Sequence, residues 1–207
     1  MLLEEELLDL VSWCRSEEVR LISDEIYHGI TYGDPAPTAA SHWDEAVVVN
    51  SFSKYFSMTG WRVGWLVLPH YLMSPVERLA QNAFIAAASV SQHAALGAFD
   101  SEEELEANLR RYAENRDILL KGLPLAGINH LAPADGAFYI WAKVDHLCDD
   151  SQELAKIWLD DLGIAVTPGI DFDPSNGHRF IRFSFAGSSE EALEAVNRLG
   201  QWVATRS

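Results

Sequence analysis

The chain has 207 residues, of which 48% are hydrophobic, enough for one large domain or two small ones with true cores. Lys and Arg total 15 against 31 for Asp and Glu, a formal net charge of -16. Such a surface repels phosphate backbones and anionic membranes, which argues against nucleic-acid or membrane partners. No apolar run reaches the roughly 18 residues of a spanning helix. The opening "MLLEEELLDL" carries acids and no base, unlike a secretory signal. Cys14 and Cys148 lie far apart without metal-type spacing, so both are expected as buried thiols in a reducing cytosol. The histidines are scattered with no HExxH pattern, and no metal site is expected.

Taken in chain order, Leu3, Leu7, Leu10, Val11 and Cys14 repeat with the period of a helix buried on one face. "VRLISDEIY" has a short apolar centre at Val19, Leu21 and Ile22 and reads as a strand closed by Ser23 and Asp24. "GDPAP" is a loop by composition. "AVVVNSF" is a β-branched run of the buried parallel kind, and "GWRVGWLVL" reads as a further strand ended by Pro69. Residues 74–99 are Ala-rich and weakly polar, which predicts one helix buried on more than one side. From Ser101 a second organisation begins. Ser101 with Glu104, and Ser188 with Glu191, have capping-box spacing, and Ser151 is a candidate cap for the helix that Gly163 ends. "GINHLAP", "GAFYIWAKV", "IAVTPG" and "HRFIRFSFA" read as strands. Helices alternate with strands throughout, so the class is α/β or mixed.

Several residues stand where chemistry is done. Lys54 follows a strand end, the place where ligands gather on α/β sheets. A lysine shielded from water there is a candidate nucleophile, although a lone lysine in a loop is more often simply a surface residue. Asp24 also ends a strand, where a carboxylate can hold a proton on a heterocycle nitrogen; alone it would read as a turn former. Tyr27 can add a hydroxyl to the same place or be partly buried core. Arg62 and Arg182 each lie between apolar residues, where an unpartnered charge is costly. An anion such as phosphate or carboxylate would serve each fork, as would a salt bridge to a nearby acid. Ser51 and Ser53 can add hydroxyls to an anion. Trp61, Trp65 and Tyr139 are expected in core packing rather than in a substrate box.

The ordered set is more specific than its members. "SDEIY", "SFSKYFSMTGWRVGW", "GAFYIW", "VTPGIDF" and "RFIRFSFA" together resemble the fold-type I pyridoxal-phosphate enzymes, most closely the class I/II aminotransferases, along essentially the whole chain. The resemblance implies an α/β fold: residues 1–98 as the C-terminal part of the large cofactor-binding sheet domain, carrying Lys54, and residues 99–207 as the small α+β C-terminal domain. It implies pyridoxal 5'-phosphate as cofactor, with Lys54 as the Schiff-base lysine and proton shuttle. Asp24 would pair with the pyridine nitrogen and Tyr27 with the ring oxygen. Ser51, Ser53 and Arg62 would hold the phosphate, and Arg182 the substrate α-carboxylate. The implied reaction exchanges an amino group between an amino acid and a 2-oxo acid, with the donor left open.

The pattern departs from the family at its start. Members are longer, and the Asn-Pro-rich turn, the phosphate-binding small-residue loop and the aromatic residue that stacks on the ring are all missing here. A sheet without its earlier strands is expected to expose an edge and an apolar face, covered by a second copy of the chain or by a separate N-terminal part. Two other readings stand beside the aminotransferase: a fold-type I lyase and a non-catalytic aminotransferase-like module. The expected location is the cytoplasm.

Overall fold

A computed structural model describes residues 1–205. The backbone divides into two compact units, Met1–Ala107 and Asn108 onward, so the division falls inside a long helix. In the first unit, α1 (Glu4–Ser16) buries Leu7, Val11 and Cys14 of the expected face, while Leu10 is half-buried and Leu3 is exposed ahead of the helix. It precedes a sheet of three strands: β1 (Ile22–Asp24), β2 (Val47–Ser51) and β3 (Gly64–Val67), in that spatial order. β1 runs parallel to β2, with Asp24 beside Val49, and β3 runs antiparallel to β2, with Gly64 beside Ser51. Two apolar clusters support the sheet. One joins Leu7, Val11, Ala39, Ala46 and Val48; the other joins Phe52, Met58, Ala95 and Ala98.

Three expectations for this unit give way. The Ala-rich stretch is two helices, α2 (His70–Ala83) and α3 (Ser89–Ala98), not one. α2 buries none of its residues, and Tyr71, Met73, Leu79, Phe84 and Ile85 are exposed. All four residues of β3 are exposed as well, Trp65 and its neighbours Leu66 and Val67 among them. Trp61 and Trp65 are therefore not core residues within this unit. Low polarity marks a surface that wants covering, and within this unit α2 is covered only in part, with Leu72, Val76 and Ala80 half-buried.

α4 (Glu102–Leu125) crosses the division. The second unit holds an antiparallel sheet of β4 (His130–Leu131), β5 (Tyr139–Lys143), β6 (Thr167–Pro168) and β7 (Phe180–Ser184), in the order β4-β5-β7-β6. Alternation puts Ile140, Ala142, Ile181 and Phe183 on the buried face and leaves Tyr139, Trp141 and Arg182 on the other, half-buried. α5 (Ser151–Leu162) ends at Gly163 in the left-handed conformation, φ 65°, as a C-terminal glycine should. Its N-cap is Asp150, not Ser151. The Asp150 carboxylate accepts from the Gln152 N–H at 2.8 Å, while the buried Ser151 hydroxyl donates to the Gly177 carbonyl. α6 (Ser189–Ala204) opens with the Ser188–Glu191 capping box formed in both directions. Cys14 is buried but Cys148 is only half-buried, and both are free thiols. Among the described residues no helix is long and apolar enough to cross a membrane.

The second unit is tied by Asn115, which is fully buried on α4. Its amide donates to the Phe185 and Gly187 carbonyls, each at 3.0 Å, and its oxygen accepts from the Ser189 hydroxyl at 2.7 Å. Asn115→Ala leaves those groups without their partner and should cost about 2 kcal/mol, read as a lowered urea midpoint by tryptophan fluorescence.

Candidate functional site

The candidate residues of the first unit gather at one edge of its sheet. Parallel β1 and β2 end at the same edge, and antiparallel β3 begins there. Asp24 closes β1, Ser51 closes β2, and Lys54 lies three residues beyond, in a turn closed by the Ser57 N–H donating to the Lys54 carbonyl at 3.0 Å. Lys54 is half-buried, and its Nζ stands 5.3 Å from the centre of the Tyr27 ring. Asp24 is exposed, and its Oδ1 accepts from the Ile26 N–H at 3.3 Å, so it does form the local turn contact that its residue type favours.

Ser51 and Ser53 form a pair. Their hydroxyl oxygens are 2.8 Å apart, and Ser51 Oγ accepts from the Ser53 N–H at 3.0 Å and lies 3.2 Å from the Val63 carbonyl oxygen. The Thr59 hydroxyl donates to the Ser53 carbonyl at 2.6 Å. Arg62 is not inside a strand, as its apolar neighbours suggested. It follows the 3₁₀ turn Thr59–Trp61 in the left-handed conformation, φ 51° and ψ 52°, and its guanidinium is exposed. That backbone conformation costs a non-glycine residue roughly 1 kcal/mol. It is sustained by bonds on either side: Arg62 Nη1 donates to the Thr59 carbonyl at 2.9 Å, and the next carbonyl, that of Val63, accepts from the Phe52 N–H. Strain of this kind concentrates at functional sites.

Four residues outside the expected set hold this edge. Glu25, between Asp24 and Tyr27, is 4% exposed. Its Oε1 accepts from the Ala39 N–H at 2.8 Å and the Ser23 hydroxyl at 3.0 Å, and its Oε2 faces His28 Nδ1 at 3.3 Å. Gly64 lets β3 approach, since a Cβ there would stand 2.6 Å from the Asn50 carbonyl oxygen. Gly29, at φ +92°, lies against the Tyr55 ring, which a Cβ would meet at 2.7 Å. Tyr55, next to Lys54, donates its hydroxyl to Glu106 at 2.9 Å. The sequence offered one hint, an acid beside Asp24 in a strand that must pair; the other contacts are tertiary.

Arg182 belongs to the second unit, on the half-buried face of β7. Its Cζ lies 4.0 Å from the centre of the Tyr139 ring and 4.2 Å from that of Phe172. Its Nε is buried and has no hydrogen-bond partner among the described residues, and no carboxylate pairs with it there. The salt-bridge alternative is thus absent, whereas Arg179 and Lys143 share Asp145 at 2.7 and 2.9 Å. Those two cations hold the Asp145 carboxyl down at about 2, the hydrogen bond from Lys143 first and that from Arg179 second.

The donor set fits pyridoxal phosphate: an amine, a carboxylate, two hydroxyls and a guanidinium share one sheet edge. Residues 1–199 match the family model described as aminotransferase class I and II. The chain belongs to the class I and II aminotransferases. Members of this family depend on pyridoxal phosphate. The chain is 49% identical, over 96% of its length, to a valine–pyruvate aminotransferase of Mycobacterium tuberculosis, covering 52% of that protein. It is 34% identical, over 88% of its length, to a (5-formylfuran-3-yl)methyl phosphate transaminase of Methanocaldococcus jannaschii, covering 50% of it. The crystal structure of an aminotransferase from M. tuberculosis superposes with a TM-score of 0.95 at 47% identity, covering 99% of this chain and 54% of that one. The fold is accordingly the α/β C-terminal part of a fold-type I enzyme, and the chain spans about half the length of the curated relatives it matches.

Burial raises the Tyr55 hydroxyl from its ordinary 10.0 to about 12, helped by its bond to Glu106 and by the charges of Glu106 and Glu102. A raised pKa means the folded state prefers the protonated phenol. Its contribution to stability is complete below the ordinary value and is lost as pH rises toward 12. Difference absorbance against Tyr55→Phe should show this late ionisation, and Glu106→Gln should move it toward the ordinary value.

Proposed function

We propose that this chain carries part of a pyridoxal-phosphate-dependent aminotransferase that moves an amino group between an amino acid and a 2-oxo acid. The supporting observation is Lys54, the only lysine of the first unit, standing at the sheet edge shared by Asp24, Ser51, Ser53 and Arg62. When bound, pyridoxal phosphate supplies the electron-withdrawing ring that stabilises charge on the substrate α-carbon.

The residues divide the rest of the work. Lys54 Nζ holds the cofactor and then takes and returns the proton of the substrate α-carbon, as general base and acid. Asp24 keeps a proton on the ring nitrogen by its charge, and the Tyr27 hydroxyl binds the ring oxygen. The Ser51 hydroxyl and the Arg62 fork bind the phosphate, with Ser53 assisting, because charge-assisted bonds of this type are the strong ones. Arg182 takes the substrate α-carboxylate. The name of the M. tuberculosis relative supports an aliphatic donor such as valine and pyruvate as acceptor.

The apolar surface of β3 and α2 is, in this reading, covered by polypeptide equivalent to the remaining half of the relatives or by a second copy of the chain. The free thiols Cys14 and Cys148 are in keeping with a cytoplasmic location.

The chain has four lysines: Lys54, Lys121, Lys143 and Lys156. Pyridoxal phosphate followed by borohydride and peptide mapping should label Lys54 and spare the other three, and Lys54→Ala should lose the label. Even labelling of all four, or none, would overturn the proposal.

A further inference from the structure

Arg182 differs from the three arginines of the second unit that hold a carboxylate. Arg116, Arg179 and Arg198 each have a carboxylate within 3.2 Å, whereas Arg182 has none among the described residues. What it has is two aromatic rings near 4 Å. The N–H groups of a guanidinium radiate in its plane, so a ring can shield the cation without satisfying a donor. A buried Nε–H left without a partner is costly in an acidic chain full of carboxylates that might have been placed there. The rings come from different elements. Tyr139 is the first residue of β5, two residues before Trp141 and on the same face, and Trp141 is the residue directly beside Arg182. Phe172 follows the 3₁₀ turn Gly169–Asp171, is 50% exposed, and also meets Trp141 edge-on at 5.9 Å.

We propose that Tyr139 and Phe172 are positioning residues: their rings hold the Arg182 guanidinium so that the open edge of its plane receives the carboxylate of the amino or 2-oxo acid. The inference rests on the reading of Arg182 as the carboxylate-binding residue. A guanidinium on a flexible stem loses rotamer freedom whenever it binds. The two rings remove that freedom beforehand and strip water from the faces, so the ligand meets a preorganised fork. Phe172, half in solvent at a turn, is the ring nearest to being displaceable. Tyr139 is fixed by the strand, and its contribution is the ring rather than the hydroxyl.

The test uses the full chain, labelled with ¹⁵N, and follows the Arg182 Nε–Hε resonance, assigned by its loss in Arg182→Lys. In the unliganded protein this resonance should be displaced by ring currents and protected from exchange. A signal at the position of a free arginine would overturn the proposal without any further variant. Pyruvate should shift the resonance saturably and neutral pyruvamide should not. Phe172→Leu and Tyr139→Leu should each weaken pyruvate about tenfold, with backbone amides of β5 and β7 unmoved, and Tyr139→Phe should bind as the parent does. No response to pyruvate in the parent would overturn the carboxylate reading and this inference with it. A pyruvate response unchanged in both Leu variants would overturn the positioning role alone and leave Arg182 as the anion site.

Discussion

One backbone hydrogen bond organises the lysine-bearing edge, that from the Phe52 N–H to the Val63 carbonyl at 3.2 Å. It carries the β2–β3 pairing one step past the end of the strands and fixes both ends of the segment between. Within that segment the chain must turn back on itself in eleven residues or so, which leaves little freedom once the ends are joined. Lys54 sits in the first turn and Arg62 in the last, so both take their places from the same closure. The close approach requires Gly64, because any side chain there would strike the Asn50 carbonyl. It also requires Arg62 to accept a left-handed backbone, a cost offset by bonds on both sides. Phe52 and Met58 anchor the turn from below, with Phe56 packed beside them, so the polar groups above are carried on an apolar base.

The opposite side of the edge depends on a second device, the buried Glu25. A buried carboxylate is tolerated only when its oxygens are used, and here the Ala39 amide, the Ser23 hydroxyl and His28 use them. These contacts fasten the exit from β1 to the loop before β2. Asp24 and Tyr27 lie on either side of that fastening. The network is therefore structural, while the neighbours it steadies are the ones for which a chemical role is proposed.

Much of this was legible in the sequence, for identifiable reasons. Lys54, Asp24 and the strands that carry them stood out because a β-branched run followed by a lysine among hydroxyls is a local pattern. The Ser188–Glu191 cap and the Gly163 stop are likewise local, and both appear as expected. What failed depended on distant partners. Arg62 looked like a strand residue because its neighbours are apolar, yet the closure on Phe52 forces it out of extended backbone. Ser151 had the right chemistry for a cap, but the Gly177 carbonyl claimed its hydroxyl and Asp150 took the position. Trp61, Trp65 and the Ala-rich segment resemble core by hydrophobicity alone, which states only that a surface is apolar, not that this chain covers it. The ring contacts of Arg182 were hidden for the same reason: residues 139, 172 and 182 meet only after the second sheet forms.

The most direct measurement is amide hydrogen exchange at Phe52, Ser57 and Met58, whose N–H groups donate to the Val63, Lys54 and Phe52 carbonyls. If the closure holds the lysine turn, these three amides exchange slowly in the parent chain. In Gly64→Val they should lose protection together, while the amides of β5 and β7 keep theirs. Fast exchange at all three in the parent, or protection untouched by Gly64→Val, would contradict the claim that this edge is built by the β2–β3 closure.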